Sequence, residues 1–171
     1  YLALQQGDVD MVWSYSAGVA GTYQDVLAGN DSVTLVNVAA ANAPAVLAFN
    51  NAKGLFVDEN LRQAVSYALD YDAFKTYFGS AYAQIPNRGF VPETTVGYKQ
   101  TEKLTTNQAK AAEYMAAAGY SEKNGNGFYV NAAGQVASFT LTVNAAKEAH
   151  VGYAEMIKNQ LEQFGIQVNL D

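Results

Sequence analysis

The chain has no cysteine among its 171 residues. That absence excludes a disulfide framework, a thiolate metal centre and redox chemistry through sulfur. Histidine occurs once, as His150. A Ser–His–acid triad would have to use that one imidazole, and no Gly-x-Ser-x-Gly elbow surrounds any serine, so nucleophilic catalysis has no visible machinery. Basic residues are scarce. Ten Lys and Arg stand against sixteen Asp and Glu, a net charge of −6 and a pI near 4.7. Such a balance excludes the basic face that neutralises phosphates in a nucleic-acid partner and a polybasic membrane contact. Long apolar runs are missing too. None approaches the roughly 20 residues of a spanning helix, and the best stretch, 38–49, is interrupted by Asn42 and Pro44.

Half of the residues are apolar and 12% are aromatic, enough to bury a substantial core in one domain. The first residues read as the end of a helix stopped by Gly7. Val9, Met11 and Trp13 alternate with Asp8, Asp10 and Val12 as a short strand. A small-residue loop over 14–21 leads to a helix at 22–28. Asn30, Asp31 and Ser32 form a turn before a strand at 33–39. The continuous apolar run 45–49 predicts a central strand covered on both faces. Asp58 is placed to cap the next helix, in which Leu61, Ala64, Val65, Ala68 and Leu69 make one apolar stripe. Asp70 introduces a second helix, with Phe74, Tyr77 and Phe78 inward and Gly79 as its stop.

Residues 80–101, with Pro86 and Pro92, are irregular, and a loop of that length is usually functional or packed on a neighbour. Thr105 and Gln108 have the spacing of a capping box ahead of a helix that stops at Gly119. Residues 128–130 and 137–143, joined by a turn at 131–134, predict a hairpin. Tyr153, Met156, Ile157, Gln160, Leu161 and Phe164 trace a long amphipathic helix ended by Gly165, and Ile166, Val168 and Leu170 a last strand. These elements amount to a single α/β domain over 1–171 with a mixed sheet and flanking helices. Both ends read as cut from a longer protein, so a missing leader carries no message about targeting.

Metal chemistry finds little support. Asp8 and Asp10 share a strand face but form an incomplete site, Asp70 and Asp72 sit where helix caps belong, and His150 lacks a second His at helical spacing. Residues 18–21 follow a strand yet lack both Gly-x-Gly-x-x-Gly and Gly-Lys-Ser/Thr, so no phosphate cradle is expected. Asn30-Asp31-Ser32 has the form of a glycosylation sequon, a short pattern with many chance matches. Tyr15, Tyr82, Tyr98 and Tyr129 lie in or near loops, where an aromatic body with a polar tip suits ligand clefts and packed loop edges alike. Catalysis, metal and cofactor are all absent from this reading, and non-covalent binding remains.

The stretch from Phe49-Asn50 through Phe56-Val57-Asp58, Arg62-Gln63-Ala64 and Tyr67-Ala68-Leu69-Asp70 resembles the signature of the family-5 extracellular solute-binding proteins. Further pieces follow in that family's order: Leu4-Gln5-Gln6-Gly7 with Asp10, Ala109-Lys110, Ala118-Gly119-Tyr120, and Gly165-Ile166-Gln167-Val168. Thr105-Thr106 stands where the family often has Asp-Pro.

The resemblance implies one lobe of a two-lobe fold of the periplasmic-binding-protein type II kind, most of the second lobe, with the first missing. It implies an extracytoplasmic protein, periplasmic or lipid-anchored as a lipoprotein, that captures peptides or nickel complexes between lobes and delivers them to an ABC permease. By the same analogy Trp13, Ser14, Tyr15 and Ser16, with Asn50 and the loop from Asn144 to His150, would face the ligand. A micromolar site is worth about −8.2 kcal/mol, and half of that is only millimolar, so the lobe alone is expected to bind poorly. Two rivals belong to other classes: a sensory module built on the same lobe pair, and a small hydrolase using Asp8, Asp10 or His150.

Overall fold

The computed structural model describes residues 1–13, 21–36, 45–79, 83–89 and 91–171. Chain contacts divide it into two compact units. Unit 1 comprises Tyr1–Pro44 and Asp72–Lys103; unit 2 comprises Ala45–Tyr71 and Leu104–Asp171.

Unit 1 begins with helix α1, Leu2–Gln6, which buries none of its side chains. Gly7 ends it in the left-handed region at φ 80, where its N–H reaches Leu4. The strand expected over Val9 to Trp13 does not form. No ladder partner is present among the described residues, and without one the alternation leaves Met11 77% and Trp13 74% exposed. Helix α2, Gly21–Ala28, carries the buried Leu27 and Gln24. The turn at Asn30 is formed as read, its Oδ1 accepting from the Ser32 N–H at 2.9 Å.

Residues 33–36 carry no ladder, and 37–39 lie outside the described residues. Helix α4, Tyr71–Gly79, places Tyr77 outward, 51% exposed, against the expectation of an inward ring. Tyr77 instead packs edge-on to Phe78 along the helix surface, centroids 4.5 Å apart. The irregular segment after α4 has its own ties: Arg88 N–H donates to the Glu102 carbonyl at 2.7 Å, and Asn87 bonds Tyr98.

Unit 2 is built on helix α3, Glu59–Ala68. Asp58 caps it by accepting from the Asn60 N–H at 2.7 Å. The apolar stripe is realised: Leu61, Ala64, Val65, Ala68 and Leu69 are all buried. Helix α5, Gln108–Ala117, packs across it, as does α6, Glu148–Phe164. Ala64, Ala68 and Ala111 are small enough to let the backbones of α3 and α5 approach, and Met115 of α5 and Leu161 of α6 are both fully buried.

The capping box is not formed. Asn107 caps α5 instead, accepting from Lys110 N–H at 2.9 Å. Gln108 Nε2 and Thr106 Oγ1 turn the other way and donate to the last carbonyls of α3, Ala68 and Leu69, each at 2.8 Å. Two orphan carbonyls at a buried helix end outcompete a local cap.

Strands β1, Glu122–Lys123, and β2, Tyr129–Val130, pair antiparallel. Strands β3, Ser138–Leu141, and β4, Gln167–Leu170, pair parallel, joined through α6. The expected hairpin of residues 128–130 with 137–143 forms at its turn end: Gly134 N–H donates to the Asn131 carbonyl at 2.8 Å, Asn131 N–H to the Gln135 carbonyl at 3.0 Å and Ala137 N–H to the Tyr129 carbonyl at 2.8 Å, around a bridge of Val130 with Val136. β2 is occupied by β1, and β3 by β4. Residues 45–49, expected as a central strand, carry no ladder among the described residues and are exposed or half-buried.

Gly165 ends α6 at φ 119. A Cβ there would lie 2.9 Å from both the Gly127 carbonyl oxygen and the Lys123 side chain, so only glycine fits. No helix among the described residues is long and apolar enough to cross a membrane.

Candidate functional site

A cleft of about 650 Å³ opens in unit 2, within the usual size of small-ligand pockets. One wall is residues 47–50. The turn at Lys53, Gly54 and Leu55 closes one side, and residues 138–142 of β3 and its continuation form the opposite wall. Three aromatic rings stand in its apolar lining beside Leu47, Leu55 and Leu141. Phe49 and Phe56 lie 4.6 Å apart, and Phe56 meets Phe139 nearly edge-on at 4.8 Å. These residues are far apart in the chain, and nothing in the sequence paired Phe139 with the other two.

Local geometry explains why Phe56 points there. Residues Leu55–Val57 form one 3₁₀ turn ahead of the Asp58 cap. Arg62, one turn into α3, reaches back to donate to the Phe56 carbonyl at 2.8 Å and the Val57 carbonyl at 3.1 Å. The Arg of the signature thus locks the turn that carries Phe56.

Asn50 lies in this cleft at the end of its first wall. Its Oδ1 accepts from the Ala52 N–H at 3.0 Å, forming the turn toward Lys53. Asn144 follows β3. Its Oδ1 accepts from Ala146 N–H at 3.1 Å and shapes the loop into α6. His150 sits exposed in the first turn of α6. The loop therefore leaves the carboxyl end of a parallel strand and enters a helix N-terminus, the place where α/β sheets bind ligands. Trp13 belongs to unit 1 and is exposed. Ser14, Tyr15 and Ser16 lie outside the described residues.

The described residues hold no cluster of three or more metal-ligating side chains. Burial pushes the Tyr129 and Tyr153 phenols up from their ordinary value. Tyr129 packs against Phe164 at 5.3 Å, and Lys123 Nζ lies 4.6 Å from its centroid while donating to the Phe164 carbonyl. That arrangement closes the end of α6 and is structural.

All 171 residues match the family described as bacterial extracellular solute-binding proteins, family 5 Middle. The chain is 27% identical over 127 residues to the oligopeptide-binding protein AppA of Bacillus subtilis, covering 71% of this chain and 23% of AppA. It superposes on NikA of Brucella suis, solved with Fe(III)-EDTA, with a TM-score of 0.85 at 18% identity, covering 99% of this chain and 34% of NikA. The structure of AppA with a nonapeptide aligns at a TM-score of 0.65 and 23% identity, covering 99% and 33% of the two chains. These likenesses show the α/β fold of the type II binding proteins. The chain spans about a quarter of the length of the AppA sequence it matches.

Proposed function

This chain belongs to the family-5 bacterial extracellular solute-binding proteins, and on that premise we propose that it is part of the substrate-binding component of an ABC importer. The observation that carries the reading is the match along the whole chain, not any single residue. In this reading residues 1–171 serve as one lobe, and ligand is held without covalent chemistry between it and a second lobe. Peptides are the first ligand class, on the likeness to AppA; metal chelates are the second, on the fold shared with NikA. Delivery goes to an ABC permease, and the protein works outside the cytoplasm. A lipid anchor would retain it at the membrane.

Trp13, Ser14, Tyr15 and Ser16 form one set of ligand-facing residues in this proposal, and Asn50, Asn144 and His150 another. Asn50 has the best support, because it lines a cleft with an aromatic floor. The family is named for binding solute rather than for a reaction.

The test uses the intact protein encoded by the gene. Its melting temperature is measured against a peptide panel and against nickel chelates. A ligand present at 100 times its Kd adds about 2.7 kcal/mol of apparent stability, an easily read shift. Asn50→Ala and His150→Ala should reduce that shift without lowering the melting temperature of the free protein. No shift with any peptide or chelate would refute the transport reading.

A further inference from the structure

The pair Asn-Gly occurs twice in the chain, as Asn124-Gly125 and Asn126-Gly127, both in the turn between β1 and β2. An asparagine side chain brings its amide carbon within reach of the next residue's backbone nitrogen. The Cβ of most residues obstructs that approach, and glycine has none. Residues 125–127 are exposed and Asn124 is half-buried, so water has access to the turn. The two pairs are identical in composition. Their hydrogen bonds make them unequal.

Asn124 is the hub of the turn. Its N–H donates to the Phe128 carbonyl at 2.8 Å, and its own carbonyl accepts from Gly127 N–H at 2.9 Å. Its side-chain Oδ1 accepts two backbone N–H groups, from Asn126 at 3.0 Å and from Phe128 at 3.1 Å. Two fixed donors on one carbonyl oxygen stabilise the negative charge that forms there when a nucleophile adds to its carbon. The bond from Asn126 also closes an Asx turn, a small ring that contains both Asn124 Cγ and the Gly125 nitrogen and holds them on one side. The Gly125 N–H meets no acceptor among the described residues. Asn126 has the reverse arrangement. The nitrogen that follows it, in Gly127, is tied to the Asn124 carbonyl, and its own side-chain oxygen meets no donor among the described residues.

We propose that Asn124 is a site of spontaneous covalent modification, at which the side-chain amide is lost through attack by the Gly125 nitrogen. Solvent base takes the Gly125 N–H proton, the nitrogen bonds to Asn124 Cγ, and the C–N bond of the side-chain amide breaks. The amide nitrogen leaves as ammonia with a proton from solvent, and a cyclic succinimide remains. Water then adds to either ring carbonyl and opens the ring. Opening at Cγ gives an aspartyl residue, and opening at the main-chain carbonyl gives an isoaspartyl residue. Each carries one new carboxylate, and nothing is oxidised or reduced. The aspartyl form keeps acceptors for the Asn126 and Phe128 N–H groups, so the turn survives. The isoaspartyl form lengthens the main chain by one carbon inside the turn that sets the Glu122–Val130 and Lys123–Tyr129 pairs. Lys123 donates to the Phe164 carbonyl at 2.7 Å, so that form also loosens the end of α6.

The test ages the intact protein encoded by the gene, without ligand, in mildly alkaline buffer made with heavy-oxygen water. Peptide mass spectrometry with electron-transfer fragmentation follows positions 124 and 126 separately and tells aspartyl from isoaspartyl. In the folded protein, conversion at 124 should be at least about tenfold faster than at 126, and no slower than at 124 in urea. Heavy oxygen should be incorporated and both products should be present. In urea, where the hydrogen bonds are gone, the two positions should convert at comparable rates. A Cβ at Gly125 would enter open space, with no positive φ to strain it, so Gly125→Ala should fold as before and keep its amide at 124. Equal rates in the folded protein, faster conversion at 126, or slower conversion at 124 than in urea each overturns the proposal. So does a preference for 124 that persists in urea, because neighbouring sequence and not the folded turn would then set the rate. Undiminished conversion in Gly125→Ala overturns it as well. No ligand takes part, so the result stands or falls separately from the transport reading.

Discussion

Replacing Gln108 by alanine separates two descriptions of the α3–α5 junction. In a capping box, Thr105 and Gln108 support each other, and losing either costs about 1 kcal/mol. In the structure Gln108 Nε2 donates instead to the carbonyl of Ala68, a residue 1% exposed at the end of α3. Alanine at 108 leaves that carbonyl buried without a donor, which costs about 1–3 kcal/mol. Asn107→Ala removes the observed cap and costs about 1 kcal/mol. Thr105 is exposed, and Thr105→Ala should stay within about 0.5 kcal/mol.

For a chain of this size 1 kcal/mol shifts the melting temperature by roughly 2–4 °C. The chain has two compact units, so a global melt can blur the effect. Exchange of the buried α3 and α5 amides, read in urea, reports unit 2 alone. A Thr105→Ala cost equal to that of Gln108→Ala would refute the junction described above.

Leu161 is fully buried, and Leu161→Ala should destabilise unit 2 by about 2–5 kcal/mol in the same exchange assay. Gly165→Ala must enter a positive φ and meets atoms at 2.9 Å, so a loss above about 1 kcal/mol is expected, and a neutral result would contradict the crowding. Tyr129 and Tyr153 have folded pKa values raised by burial. Their neutral form is the one the fold favours, so this stability is complete below the unfolded tyrosine pKa of about 10 and is lost as pH rises through the folded values. Phenol absorbance should show both rings titrating late. Tyr129→Phe and Tyr153→Phe should flatten the alkaline fall in stability, and an unchanged fall would remove the cause assigned.

Local signals were the legible part of the fold. The Asp58 cap, the stripe from Leu61 to Leu69 and the stops at Gly7, Gly119 and Gly165 each depend on residues within a turn or two of each other. Strand assignments at Val9 to Trp13 and at 45–49 failed as ladders, because a strand exists only when a partner supplies its hydrogen bonds. The hairpin at 128–143 formed only near its turn, where Ala137 N–H bonds the Tyr129 carbonyl, while residues 138–141 pair with β4 instead. The candidate ligand residues were named by resemblance. Of them, Asn50 is placed in a cleft, Asn144 and His150 are placed at a loop and helix start, and 14–16 stay undescribed.

The order of residues alone therefore determined the class of protein, its acidic and cysteine-free character, and the helices whose caps and apolar faces are written within a few turns. It also carried the family signature, most of which is scaffold: a cap, a buried stripe and an Arg that locks a turn. Tertiary structure decided what the signature holds in place. Phe139 met Phe56, which also packs on Phe49, and Gln108 turned from its own helix to the end of another. Those outcomes depend on residues tens of positions apart, and periodicity and spacing have no reach across that distance.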